Sequence, residues 1–173
     1  MKRFAVQVGD ITKCQADALV HPVTEQLDSA GVVSEEIFRA AAPSLREELK
    51  QFGSCQPGGV IVTEAHGLSV KKLLHTVNPK WQGGDSEEEK ILADCYRNCL
   101  NKAVELGMKT VVFPSISTGA YHFPVNLAAN IAVRTILDFL KKDETLESVQ
   151  LVCLDQRTTL VYDMCAAQYQ RYE

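Results

Sequence analysis

The sequence predicts an α/β fold in three layers, α/β/α, around a mixed, mostly parallel central sheet. Three observations point there. Short segments rich in Val, Ile and Leu alternate with longer amphipathic ones, the connections between them are short, and no linker, low-complexity tract or internal repeat interrupts the alternation. A chain of 173 residues with 46% apolar content buries its own core, so residues 1–173 are read as a single domain.

The strand segments are Phe4–Val8, Ala18–Val20, Gly59–Thr63, Leu73–Val77, Thr110–Phe113 and Val149–Leu154, each bounded by turn residues or a helix. The clearest helix starts at Ser86, where Ser86 and Glu89 form a capping box, and runs with Leu92, Cys95, Cys99 and Ala103 on one stripe to a glycine stop at Gly107. Another opens at Pro124, turns Ala128, Ile131, Thr135 and Phe139 inward and ends in Lys141 and Lys142 at its negative pole. Pro43 divides Ser34–Ala41 from Ser44–Phe52, and a terminal helix is expected over Thr158–Tyr169.

Charges of both signs are mixed along the chain, and the net charge of -4 supplies no footprint for a nucleic-acid backbone. No run reaches the roughly 20 apolar residues that span a bilayer, and the start MKRFAVQVGD shows no signal-peptide hydrophobic stretch, so an intracellular protein, cytoplasmic or nuclear, is expected. The six cysteines include no CxxC pair, and with four scattered histidines they show no ligand spacing, so reduced thiols and no metal are expected. Cys55 in its Gly-rich loop reads as part of a connector, His75 as core, His66 as part of a surface turn and His122 as an exposed loop residue.

The segment after Thr110–Phe113 carries the functional signal. It reads Pro114-Ser115-Ile116-Ser117-Thr118-Gly119-Ala120-Tyr121-His122-Phe123-Pro124 and leads into a helix. Ligands of parallel α/β sheets gather at the carboxyl ends of strands, where successive backbone N–H groups and a helix N-terminus face an anion. Gly119 permits close approach of the backbone to a phosphate, Ser117 and Thr118 add hydroxyl donors, and a diphosphate suits the concavity. The same composition also fits an ordinary strand-to-helix turn, and the segment matches neither the Walker loop nor GxGxxG.

Four segments in order resemble the macrodomain family, which binds ADP-ribose: Val8-Gly9-Asp10-Ile11-Thr12, Leu74–Val77 through Pro79 and Trp81, Phe113–Pro124, and Val149–Asp155. The resemblance covers nearly the whole chain and implies ADP-ribose as ligand, with no cofactor. It implies that Asp10 accepts from the adenine amino group with Ile11 packed nearby. Leu154 and Asp155 would flank the adenosine, and Ser117, Thr118, Gly119, Ala120 and Tyr121 would wrap the diphosphate.

The second half of the pocket departs from that pattern. Hydrolytic members read Asn-Ala-Ala-Asn and then a Gly-rich loop with Val-Asp; this chain reads His21-Pro22-Val23-Thr24 and then Ala30-Gly31-Val32-Val33-Ser34. Thr24 stands where a ribose-binding Asn is expected, and Ser34 where an Asp would orient water. Gly31, Val32 and Val33 take the place of the glycine-rich loop. A hydroxyl of unperturbed acidity is a weak base, so binding without fast hydrolysis is expected.

The resulting expectation is a module, monomeric as an isolated domain, that binds free ADP-ribose or the ADP-ribose of modified proteins. Pro22 and the glycine-poor loop add a resemblance to the non-hydrolytic macrodomain of a histone variant, and with it a possible chromatin setting. The alternatives are an ADP-ribosyl hydrolase, or a phosphatase or deacetylase of ADP-ribose derivatives, that uses His21, Thr24 or Ser34, and a scaffold that binds nothing. His21 reads either as a base in such a site or as a structural residue capping its strand.

Overall fold

The computed structural model describes residues 3–119 and 121–171. In chain order the elements are β1 (Phe4–Val8), a 3-10 turn (Ile11–Lys13), β2 (Ala16–Val23), α1 (Val32–Ala40), α2 (Ser44–Lys50), β3 (Val60–Glu64), β4 (Val70–Val77), α3 (Glu88–Glu105), β5 (Thr110–Pro114), α4 (Val125–Lys142), β6 (Ser148–Cys153) and α5 (Gln156–Arg171). The six strands form one sheet in the order β1-β6-β5-β2-β4-β3, parallel except for the β3–β4 pair. All six expected strands are present in a three-layer α/β/α arrangement. No helix among the described residues is long and apolar enough to cross a membrane.

Side chains alternate across the sheet, and both faces are covered. Ala18, Val20, Leu74, Val111, Phe113, Val149 and Leu151 pack with α3, α4 and α5, whereas Leu19, Leu73, Val112 and Val152 pack with α1, α2 and the 3-10 turn. Adjacent strand residues therefore both sit in core, which is why these strands read as unbroken apolar runs. Cys95, Cys99 and Cys153 lie in the first of these cores, and burial pushes the Cys95 thiol up to about 12. The helix after β2 lies on one face and the helix after β5 on the other, so the sheet changes winding sense between these neighbouring strands.

Among the boundaries that differ from expectation, two have a clear physical reason. The capping box of Ser86 and Glu89 does not form: Glu87 takes a left-handed backbone, φ 62°, and brings Glu88 to the loop instead. The Glu88 carboxylate accepts the backbone N–H groups of Gln82, Gly84 and Ser86 at 2.8, 2.9 and 2.6 Å, which hold its pKa below the usual range. It is buried under the loop it ties together.

Strand β2 also runs further than Ala18–Val20, through His21 and Pro22 to Val23. Its pairing with β5 is confined to Ala18–Val111 and Leu19–Val112, while pairing with β4 continues to Val23–Val77. Pro22, which has no N–H to offer a second neighbour, occupies the stretch where β2 and β5 have parted.

The histidine before it is fully buried because it has polar partners. His21 Nδ1 lies 2.9 Å from His75 Nδ1 across the β2–β4 pair, His21 Nε2 lies 2.7 Å from Ser34 Oγ of α1, and His75 Nε2 lies 2.8 Å from Thr63 Oγ1 of β3. Phe38 of α1 meets the His21 ring edge-on at 4.7 Å. Burial, then the neighbouring His75 and Arg46, hold the His21 pKa well below 6.5, and burial takes that of His75 to about 3.

These histidines make the fold acid-sensitive above the carboxylate range. Below the unfolded-state value of 6.5 the unfolded chain takes up protons that the folded protein refuses. Stability is thus intact above that pH and lost as it falls, by about 1.4 kcal/mol per pH unit for each histidine. Urea unfolding midpoints measured from about pH 7 down to about pH 5 are expected to drop steadily; a flat profile would show that the pair is not buried in neutral form.

Candidate functional site

Where β2 and β5 part, a cavity of about 170 Å³ opens at the carboxyl ends of the strands. Pro22 comes from β2, Asn78 from just past β4, Leu154 and Asp155 from just past β6, and Ser115, Ser117, Thr118, Gly119 and Tyr121 from the loop after β5. Ala30, Gly31, Val32, Val33 and Ser34 bring in the N-terminus of α1, and Thr158 the first turn of α5. An adjoining cavity of about 360 Å³ shares Asn78 and Tyr121 and is lined in addition by Thr24, Glu25 and Lys80. Two larger hollows are lined by α4 and α5 residues alone, away from the strand ends.

The loop after β5 is held from beneath. Tyr96 of α3 accepts the Ile116 N–H at 3.1 Å, and Phe123 N–H returns to the Ser117 carbonyl at 2.9 Å. Ser117 adopts a left-handed backbone, φ 68°, and is 5% exposed. Its hydroxyl donates to the Pro79 carbonyl at 2.8 Å and accepts from Asn78 Nδ2 at 3.1 Å, while Thr118 Oγ1 turns to Ser115.

The expectation that these two hydroxyls face a ligand is therefore corrected: they are engaged inside the loop, and what the loop presents outward is backbone. Gly119 faces open space, since a Cβ built there meets nothing within 4 Å. Neither its own fold nor its neighbours exclude a side chain at that point.

Opposite the loop, α1 begins at Val32 with Gly31 at φ 137°, a conformation L-residues rarely adopt. The first intrahelical bond joins Glu35 N–H to the Gly31 carbonyl at 2.9 Å, so the N–H groups of Val32, Val33 and Ser34 precede the helical ladder. A backbone loop and a helix N-terminus thus line one cavity, an arrangement suited to an anion. Val32 and Leu154, 65% and 55% exposed, offer apolar surface at its edges.

The remaining expected residues fall in three groups. Asp10 and Ile11 lie at the same end of the sheet, Gly9 N–H bonding to the Cys153 carbonyl at 3.0 Å, but outside the cavity lining. The Asp10 carboxylate caps the 3-10 turn through Thr12 Oγ1 (2.6 Å) and N–H (3.0 Å), which lower its pKa, and Ile11 is buried in the core beneath α1. Thr24 lines the adjoining cavity and closes a turn, its Oγ1 accepting the Asp28 N–H at 3.1 Å. Asp155 lines the cavity while capping α5 through the Thr158 N–H at 2.7 Å. Ala120 lies outside the described residues.

Asn78 was not anticipated. It is 6% exposed, and its Oδ1 has no partner among the described residues. Ser117 fixes its orientation: the single Ser117 proton goes to Pro79, so the atom facing Ser117 is the amide nitrogen. The available signal was a polar residue directly following the apolar strand Leu73–Val77, in the position sequence reasoning gives to a turn.

The family model of the Macro domain matches residues 20–132. A Macro domain-containing protein of Methanosarcina mazei is 44% identical over 154 residues, 89% of this chain and 82% of that protein. A protein of Cronobacter turicensis named O-acetyl-ADP-ribose deacetylase is 41% identical over 171 residues, 96% of this chain and 97% of that one. Among solved structures, a mutant of the Oceanobacillus iheyensis macrodomain with ADPR (ADP-ribose) is 31% identical with a TM-score of 0.88, covering 97% of this chain and 93% of that one. With a family match over most of its length and relatives this similar, the chain belongs to the Macro domain family.

Proposed function

We propose that the cavity binds ADP-ribose, with the diphosphate between the Ser115–Tyr121 loop and the N-terminus of α1 and the adenosine toward Leu154 and Asp155. The observation that carries this reading is the open space above Gly119, on a loop whose hydroxyls turn inward and which shares its cavity with a helix N-terminus. The O. iheyensis macrodomain with ADPR supports it by likeness. The same cavity would take the terminal ADP-ribose of a modified protein.

Turnover of an ADP-ribose derivative is better supported than binding alone. Relatives that match nearly the full length are named O-acetyl-ADP-ribose deacetylase. A plain hydroxyl is a weak base, but the Ser34 hydroxyl is held against an imidazole at 2.7 Å. Hydrolysis of an acyl ester of ADP-ribose is therefore the reading we favour.

Calorimetric titration with ADP-ribose tests the binding reading. Gly119→Glu is expected to abolish the titration while leaving the melting temperature unchanged, because the added carboxylate enters the space reserved for phosphate; undiminished binding would put the ligand elsewhere. Asp10→Ala is expected to weaken binding by roughly tenfold or more, the loss of one charge-assisted hydrogen bond. Release of acetate from O-acetyl-ADP-ribose by the wild-type chain is expected as well, and saturable binding without release would return the chain to a reader.

A further inference from the structure

The buried side chains behind the cavity form one hydrogen-bonded row that ends at the cavity wall. We orient the row from Thr63, assigning its one hydroxyl proton to the Glu64 carbonyl at 3.0 Å. Thr63 Oγ1 must then accept from His75 Nε2 at 2.8 Å. A neutral imidazole carries one N–H, so His75 Nδ1 is bare and accepts from His21 Nδ1 at 2.9 Å. The remaining nitrogen, His21 Nε2, is bare in turn and accepts the Ser34 hydroxyl at 2.7 Å. Both rings are fully buried and bond no carboxylate among the described residues, so both are neutral, and His21 is a weak base that takes the Ser34 proton only as the tetrahedral adduct forms.

Ser34 is placed to use this. It lines the cavity although only 1% exposed, and it occupies the third position of α1, whose first N–H groups have no intrahelical acceptor. A hydroxyl hydrogen-bonded to a neutral imidazole, with helix N-terminal donors alongside, is the combination that acyl transfer needs: nucleophile, base and stabilisation of an oxyanion.

We propose that Ser34 is the nucleophile of an acyl-transfer site, with His21 as its general base and His75 and Thr63 as positioning residues that impose the tautomer. The substrate class, an acyl ester on a ribose hydroxyl of ADP-ribose, rests on the function proposed above. In the first step Ser34 Oγ bonds to the ester carbonyl carbon and its proton passes to His21 Nε2. The tetrahedral adduct then breaks the bond to the ribose oxygen, which leaves with that proton as a hydroxyl. Water attacks the acyl-Ser34 ester, giving its proton to His21 and from there to the departing Ser34 oxygen, and the carboxylic acid is released. Water is the sole co-reactant.

The test is an acid-quenched reaction of the full chain with O-acetyl-ADP-ribose, read by intact mass and peptide mapping, in parallel with p-nitrophenyl acetate, an ester that needs no ADP-ribose site. The expected result is an acetyl group on Ser34 from both esters. Ser34→Ala is expected to lose roughly a hundredfold or more of the acetate-release rate while still binding ADP-ribose, the retained binding reporting an intact fold. Thr63→Val is expected to lower kcat with KM unchanged, and Thr63→Ser to restore it. A Ser34→Ala rate equal to the parent's, or no acyl group on Ser34 from either ester, overturns the proposal even if ADP-ribose binds. Acylation of Ser34 by p-nitrophenyl acetate without any ADP-ribose binding supports the nucleophile and removes the ligand reading instead.

Discussion

A parallel sheet needs cover on both faces, and in this chain that need creates the cavity. The helix following β2 goes to one side and the helix following β5 to the other, and the two strands part at their carboxyl ends. They stop pairing after Leu19 and Val112, and the loops that leave them diverge. The Ser115–Tyr121 loop and the first turn of α1 face each other across the cavity because of that divergence.

The polar groups exposed by the parting are managed in two ways. On the α3 side, Ser117, Asn78 and Tyr96 hold the loop by hydrogen bonds directed inward, leaving backbone and an open glycine toward the cavity. On the α1 side, four side chains from β2, β3, β4 and α1 satisfy one another in a buried row, Thr63 to His75 to His21 to Ser34. A buried polar row is stable when every member has a partner. One end of the row is closed on the Glu64 carbonyl, and the other reaches the cavity wall.

This arrangement changes how the departures from the family pattern are understood. Read singly, Thr24 and Ser34 are losses of an amide and a carboxylate. In three dimensions Thr24 closes a turn beside Asn78, an amide from the adjacent strand end that lines both cavities, and Ser34 is coupled to an imidazole. The side chains at the site thus differ in kind from an Asn and Asp pair, while the backbone loop and the helix N-terminus still line one cavity.

The sequence by itself determined the layers, the six strands, the family and the loop that forms half of the cavity, because apolar periodicity and the run from Phe113 to Pro124 are local signals carried by neighbouring residues. It did not reveal the full length of β2, since His21 and Pro22 break the pattern of a strand and are accommodated only by partners far along the chain. Nor did it show that Ser117 turns inward, that Asn78 enters the site, or that Ser34, His21, His75 and Thr63 form one row. Those are contacts between residues 12 to 54 positions apart, made by strand order and helix placement, and no local pattern encodes them.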